Sequence, residues 1–143
     1  MILLGLVASL WIWLAPSELT LGTGIKIVYL HAASIWAGMT GLTLAGFLGF
    51  TLLLRPNPKL EQWIRSIALV GFGLFILGFL LSMIAAQVNW GGIFWQEPRT
   101  AANLRVVAVT LIVLVVTSWP VRARLKGLLL LGLPAALFWT TFS

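Results

Sequence analysis

The chain divides into five apolar runs separated by short polar segments. The runs cover about residues 2–15, 26–54, 63–87, 102–119 and 125–142. Pro16, Pro56 and Pro120 mark three of the boundaries, because a proline disfavours helix in the residue that precedes it. Long uncharged apolar runs are typical of membrane-spanning helices. The pattern therefore predicts an all-α integral membrane protein, a single domain over residues 1–143 that forms a bundle of about five transmembrane helices.

The first run is short for a span and has two interpretations. It could be a secretory signal peptide, but it lacks a positively charged start and a clear A-x-A cleavage site. We therefore expect a retained first helix, with Trp11 and Trp13 as anchors at the membrane interface.

The second run is long in comparison. At 1.5 Å per residue it extends about 43 Å, so it must tilt or project beyond the roughly 30 Å of hydrocarbon.

The composition leaves little room for a soluble catalytic domain. The 143 residues are 61% hydrophobic and only 8% charged, whereas about 25% of the residues of soluble domains are charged. The chain has no cysteine. This excludes disulfides, thiolate metal sites and the C-x-x-C-H signature of covalently attached haem.

The formal charge of +6 is concentrated in two connections between apolar runs. Arg55, Lys59 and Arg65 lie at the first of these connections. Arg122, Arg124 and Lys126 lie at the second. Cytoplasmic loops carry such an excess of Lys and Arg, so we expect the amino terminus in the cytoplasm, the carboxyl terminus outside, the lipid bilayer as the main partner and no nucleic acid.

Small residues recur every four positions along the second run. They are Ala33, Ala37, Gly41, Ala45 and Gly49. Such a stripe lets another helix approach closely, so that dispersion between the backbones stabilises the contact. Packing within the chain is the simpler interpretation. Homodimerisation through Ala37, Gly41, Ala45 and Gly49 is the alternative.

His31 is the only histidine, and it lies about 7–8 Å below the expected outer end of the second helix. Gly38, two turns further on, is expected to leave a notch beside the imidazole. An ionisable group inside a membrane indicates function by default, because it is costly there. Two interpretations stay open: His31 is the metal ligand of haem or chlorophyll, or it donates a structural hydrogen bond to a neighbouring helix.

The aromatic loop (residues 90–99, WGGIFWQEPR) is expected at the same surface as His31. Trp90, Phe94 and Trp95 could simply anchor the chain at lipid headgroups. The glycines and polar residues among them favour instead a shaped surface for a flat ring. Arg99 and Arg105 are then candidate partners for haem propionates, which need charge-assisted hydrogen bonds.

These segments resemble the cytochrome c assembly proteins, a family of haem-handling membrane proteins with a tryptophan-rich WWD segment. Residues 26–36 (KIVYLHAASIW) are similar to the start of the family's second helix, whose histidine is an axial haem ligand near the outer surface. The aromatic loop is similar to a degenerate form of W-G-x-x-W-x-W-D-[P/A]-[K/R]. Trp90, Gly91, Pro98 and Arg99 match that motif, whereas Phe94, Gln96 and Glu97 replace two tryptophans and the aspartate.

The chain also departs from this family. The family has a second axial histidine just after a proline of its next-to-last helix, but Pro134 is followed here by Ala135, Ala136 and Leu137. The family's final helix is missing as well. One chain therefore cannot supply two axial histidines. The sixth ligand would be absent, or it would come from a partner, from His31 of a second copy or from Met39.

The resemblance implies a non-enzymatic protein that holds haem b non-covalently at the outer membrane surface and transfers it to a cytochrome c assembly partner. His31 would be the metal ligand, and the other binding residues would be Gly38, Trp90, Phe94, Trp95, Arg99 and Arg105. Chlorophyll is the alternative cofactor. The alternative function is an accessory subunit of a respiratory or photosynthetic complex. The expected location is a bacterial plasma membrane or a thylakoid membrane.

Overall fold

The computed structural model describes residues 2–142, with the side chains of residue 7 and of residues 9–140. Residues 1 and 143, the two ends of the expected domain, lie outside the described residues. The described chain consists of helices joined by short loops. The helices are α1 (Ile2–Leu14), α2 (Ile25–Leu54), α3 (Pro58–Trp90), α4 (Pro98–Ser118) and α5 (Ala123–Phe142).

Four of these helices, α2 to α5, are long and apolar enough to cross a membrane. The first helix, α1, has 13 residues. It therefore extends only about 20 Å, less than the roughly 30 Å of a hydrocarbon core. The expectation of an all-helical chain with long apolar helices is confirmed. The expected count of five spans is not supported, because α1 is too short.

Two helices begin earlier than the hydrophobic pattern predicts. α3 begins at Pro58, and the Asn57 side chain caps it by accepting hydrogen bonds from the N–H groups of Lys59 (2.9 Å) and Leu60 (3.4 Å). α4 begins at Pro98. A proline suits the first turn of a helix, because its missing N–H would have no partner there. Polar first turns thus extend both helices beyond their apolar runs.

The central helix, α2, packs antiparallel to α3 along a line of close backbone contacts. A Cβ atom on Gly38 would lie 2.6 Å from the Phe75 nitrogen, and one on Gly41 would lie 2.9 Å from the Gly71 Cα. Gly38 and Gly41 can therefore carry no larger side chain unless α3 shifts. The two helices approach each other through their backbones, as membrane helices with small residues at the interface do.

A neighbouring face of α2 packs against α5. A Cβ atom on Gly46 would collide with the ring of Pro134, so the glycine makes room for the proline. Further along α2, a Cβ atom on Gly49 would lie 2.7 Å from Cβ of Leu130. The core of the described chain lies between these helices and α4. Its buried side chains include Leu42, Leu52, Ile64, Phe75, Val113 and Leu133.

The small-residue stripe of α2 is used mainly inside the chain. Gly41 contacts α3 and Gly49 contacts α5, whereas Ala45 is fully buried. Ala33 and Ala37 are exposed. Intramolecular packing therefore accounts for three of the four residues named for a homodimer contact.

Candidate functional site

His31 is half-buried on α2 and is held by a hydrogen bond to the neighbouring helix. Its Nδ1 lies 3.0 Å from the carbonyl oxygen of Gly78 on α3. A carbonyl oxygen can only accept, so Nδ1 carries the proton of this bond, and in the neutral imidazole the lone pair is then on Nε2. No hydrogen bond to Nε2 is formed by the described residues. The ring is thus oriented by one nitrogen and open to a ligand at the other.

This hydrogen bond depends on a close approach of α2 and α3. A Cβ atom on Gly78 would lie 2.7 Å from the backbone nitrogen of Ile35 and 3.1 Å from the carbonyl oxygen of His31. Only glycine lets the backbones meet at this point without a shift. Gly78 therefore both presents its own carbonyl to the imidazole and allows the two helices to come close enough for the bond.

A cavity of about 670 Å³ opens beside the imidazole. Four parts of the chain line it: the start of α2, the last turns of α3, the aromatic loop and the first turns of α4. Its volume falls within the roughly 300–1,000 Å³ of pockets for small molecules and cofactors. The lining residues are Val28, His31, Ser82, Met83, Ala85, Ala86, Trp90, Ile93, Phe94, Gln96, Glu97, Arg99, Thr100 and Asn103.

The local structure of the aromatic loop places its residues around this cavity. Gly91 ends α3 with a φ of 75°, and its N–H donates to the carbonyl of Gln87 at 3.1 Å. This left-handed conformation favours glycine, and it turns the chain out of the helix directly after Trp90. Pro98 then starts α4, so that Arg99 and Thr100 occupy its first turn.

The cavity lining combines apolar and polar side chains. Trp90, Ile93 and Phe94 are among the apolar ones, and the polar ones include Gln96, Glu97, Arg99, Thr100 and Asn103. This is the usual character of a ligand pocket, in which apolar surface is combined with a few polar groups that orient the ligand. The side chains suit a flat apolar ring with anionic substituents.

Asn89 anchors the end of α3 that lies next to the aromatic loop. Its Nδ2 donates to the carbonyl of Ala85 (2.9 Å) and reaches the carbonyl of Gly24 (3.4 Å), just before α2 begins. The end of α3 is thereby tied to the start of α2. The imidazole and the aromatic loop are held on the same side of the molecule by this contact and by the His31–Gly78 bond.

Four of the seven residues predicted for the site line the cavity together. They are His31, Trp90, Phe94 and Arg99. Trp95 and Arg105 are exposed and are not among the lining residues. Lys26, at the start of α2, donates to the carbonyl of Trp13 at the end of α1.

The notch expected at Gly38 is filled. Gly38 is buried, and Phe75 of α3 occupies the space in which a side chain would lie. The expectation came from the helical period alone, which places Gly38 below His31 but does not say what packs there. The glycine-containing faces of α2 and α3 pack directly against each other. The cavity lies next to this contact, on the side of the aromatic loop.

The sequence argument missed Met83 and Asn103. Met83 lies two turns before Trp90 on α3, and Asn103 lies one turn after Arg99 on α4. The helical period could have found both, since it puts each on the face of a residue already named. Met39, the methionine considered as an iron ligand, lies in a separate groove with Trp36 and Phe47.

The described residues contain no group of three or more His, Cys, Asp or Glu side chains that could hold a metal ion. One imidazole with a free nitrogen is nevertheless the donor set that a metalloporphyrin requires, because the ring supplies the other nitrogens. The chemistry of the cavity therefore fits haem better than it fits a bare ion.

Comparisons with protein families, with curated proteins and with solved structures found no match to this chain.

Proposed function

We propose that this protein binds haem b non-covalently at one surface of a membrane and holds it for a partner, without catalysing a reaction itself. The observation that carries this proposal is that the oriented imidazole of His31 lines the same cavity as Trp90 and Phe94. Bound haem would supply an iron that accepts a nitrogen donor, and His31 would hold it through Nε2.

The hydrogen bond of His31 supports a ligand role. Metal-ligating histidines almost always donate their other N–H to a carbonyl or carboxylate, which fixes the tautomer and the direction of the ring. Gly78 provides such an acceptor here. A structural histidine would make the same bond, so the free Nε2 and the cavity beside it are what favour the ligand interpretation.

Arg99 is the cation of the cavity and the proposed partner of the haem propionates. It lies in the first turn of α4 and lines the cavity. Charge-assisted hydrogen bonds from a guanidinium to carboxylates are strong and directional. Arg105 does not line the cavity, so a substitution of Arg105 is the control for the same substitution of Arg99.

The proposed orientation follows from the charges at the two ends of the bundle. The connections around Arg55 and Arg122 are rich in Lys and Arg, which favours a cytoplasmic location. The aromatic loop, the cavity and the end of α5 would then lie outside. Haem would be held at the outer surface, where the cytochrome c assembly proteins that the sequence resembles handle it.

An absorption spectrum of the purified protein tests the proposal. We expect a Soret band, either as isolated or after addition of haemin, and its loss in His31→Ala. Free imidazole should restore the band in His31→Ala, because the small molecule can replace the missing ligand. A purely structural histidine would not give this rescue, so the rescue separates a lost ligand from a damaged fold.

Two matched pairs extend the test to the rest of the cavity. Arg99→Gln should weaken haem binding at least about tenfold, since a hydrogen bond to a charged group contributes about 1.5–3 kcal/mol, whereas Arg105→Gln should leave it unchanged. Trp90→Ala should likewise weaken binding more than Trp36→Ala, which alters an exposed tryptophan of the separate groove.

The accessory-subunit alternative has a distinct outcome. A protein that takes up no haem but co-purifies with a large respiratory or photosynthetic complex in mild detergent would overturn the proposal. Extraction of the pigment from a coloured preparation decides between haem and chlorophyll.

A further inference from the structure

The end of the bundle opposite the cavity carries a concentrated positive charge. Six of the nine Lys and Arg residues belong to the two connections at this end, together with one acidic residue, Glu61. Five of the six side chains are exposed. They are Arg55, Lys59, Arg65, Arg122 and Arg124.

Tertiary contacts join the two connections into one surface. Nζ of Lys126 lies 2.6 Å from Oε1 of Glu61, which links the start of α5 to the start of α3. Gly127 is packed so closely on α2 that a Cβ atom would lie 2.7 Å from the Leu53 nitrogen. Residues more than sixty positions apart in sequence therefore share one face, which we call the basic face.

The ion pair leaves the other cations of the basic face without a carboxylate. Lys126 is only 12% exposed and neutralises Glu61. In the part of the chain that the structure describes, no ion pair involves Arg55, Lys59, Arg65, Arg122 or Arg124. The basic face is thus a multivalent cation that needs anions from outside the chain.

Two exposed tryptophans indicate the depth at which the basic face lies. Trp63 is 70% exposed one turn into α3, and Trp119 is 58% exposed directly after α4. Tryptophan concentrates at the level of lipid headgroups. The nearest anions at this depth are the phosphates of the lipids that surround the bundle.

We propose that the basic face binds the headgroups of anionic phospholipids. Clustered Lys and Arg at the cytoplasmic ends of membrane helices attract anionic lipids, and the attraction adds up over the cations. The joined surface would hold several phosphates around one end of the bundle. This inference depends on the membrane location and is independent of haem binding.

The test measures lipid selectivity of the full-length protein in phosphatidylcholine bilayers, using spin-labelled phosphatidylglycerol and phosphatidylcholine as probes. We expect the protein to associate preferentially with phosphatidylglycerol. The preference should fall by up to about fivefold for each cation removed in Arg122→Gln and Arg124→Gln, and it should weaken in high salt, because ions screen exposed charges.

Arg105→Gln is the control, since it removes the same charge from the other end of the molecule. Equal losses in Arg105→Gln and Arg124→Gln would overturn the proposal, because net charge alone would then explain the preference. A wild-type protein without preference for phosphatidylglycerol would also overturn the proposal. In that case, selective binding of an acidic protein or of a nucleic acid would identify a different partner of the basic face. Circular dichroism checks that each variant is folded.

Discussion

At the scale of single residues, His31 shows how one hydrogen bond can orient a side chain and leave its other nitrogen available for a ligand. Its Nδ1–H removes the cost of an unpaired donor between two helices by bonding to Gly78. The same bond leaves Nε2 as the only nitrogen with a free lone pair. The sequence offered a hydrogen bond from this imidazole to a neighbouring helix as one of two interpretations, and the structure identifies Gly78 as the acceptor.

The polar loop between α1 and α2 contains a second well-defined side chain, Glu18. The Thr20 hydroxyl donates to its carboxylate, as do the N–H groups of Leu21 (2.8 Å) and Thr20 (2.9 Å). These hydrogen bonds, that of the Thr20 hydroxyl above all, lower the pKa of Glu18 below its ordinary value. The loop is therefore stabilised by the ionised form of this carboxyl.

We predict that Thr20→Ala raises the pKa of Glu18 toward the ordinary value, because the largest cause of the shift is removed. An NMR titration of the carboxyl group measures this change. A lowered pKa stabilises the loop above the ordinary pKa, and this contribution is lost as the pH falls through the lowered one. Thr23→Ala alters an exposed neighbour and should leave the titration unchanged, and equal shifts in both variants would contradict the assignment.

At the scale of helices, the contact of α2 with α3 is built from glycine positions rather than from large side chains. Lipid removes the hydrophobic drive between helices, so close backbone packing has to supply the attraction. The stripe on α2 predicted that another helix would approach closely. Which glycine faces which helix was decided by the tertiary packing, since Gly41 meets α3 and Gly46 and Gly49 meet α5.

We predict that Gly78→Ala destabilises the protein by about 1–3 kcal/mol, the usual cost of overpacking. The added methyl would collide with the backbone of Ile35, which belongs to α2 and cannot move alone. Thermal unfolding in detergent measures the loss. The variant should also weaken haem binding, because separation of the helices stretches the His31–Gly78 bond.

Gly73→Ala is the matched control on the same helix. A Cβ atom there has no neighbour within 4 Å, so we expect a change in unfolding free energy within about 1 kcal/mol and in the stabilising direction, because alanine favours helix. Equal destabilisation by both substitutions would mean that the close contact of Gly78 with α2 does not explain the effect of Gly78→Ala.

At the scale of the whole molecule, the two ends of the bundle differ in charge and in form. One end carries the basic face, and the other carries the cavity, which Glu97 and Arg99 help to line. The antiparallel order of α2 to α5 places both basic connections at the same end. This asymmetry is what the proposed orientation in the membrane rests on.

We predict that single cysteines introduced at Pro56 and Gly92 react from opposite sides of the membrane. The chain has no cysteine of its own, so a membrane-impermeant maleimide reports on one position at a time. With the basic connections in the cytoplasm, Gly92→Cys should be labelled in intact cells, and Pro56→Cys only after the membrane is opened. Labelling of both variants in intact cells, or the reverse pattern, would contradict the proposed orientation.

The sequence by itself determined the helical class of this protein, the approximate bounds of its long helices and the segments that carry its candidate site. These features depend on local hydrophobicity, on prolines and on the charge of short connections, all of which can be read along the chain. The polar first turns after Asn57 and at Pro98 were not predicted, because an N-cap adds residues that the apolar pattern does not include.

Only the tertiary structure decided which surfaces meet. It filled the notch at Gly38 with Phe75, bonded His31 to Gly78 and joined the two basic connections through Lys126 and Glu61. It also brought Met83 and Asn103 to the cavity. These outcomes depend on how the backbone surfaces of different helices fit together, which the periodicity within any one helix does not determine.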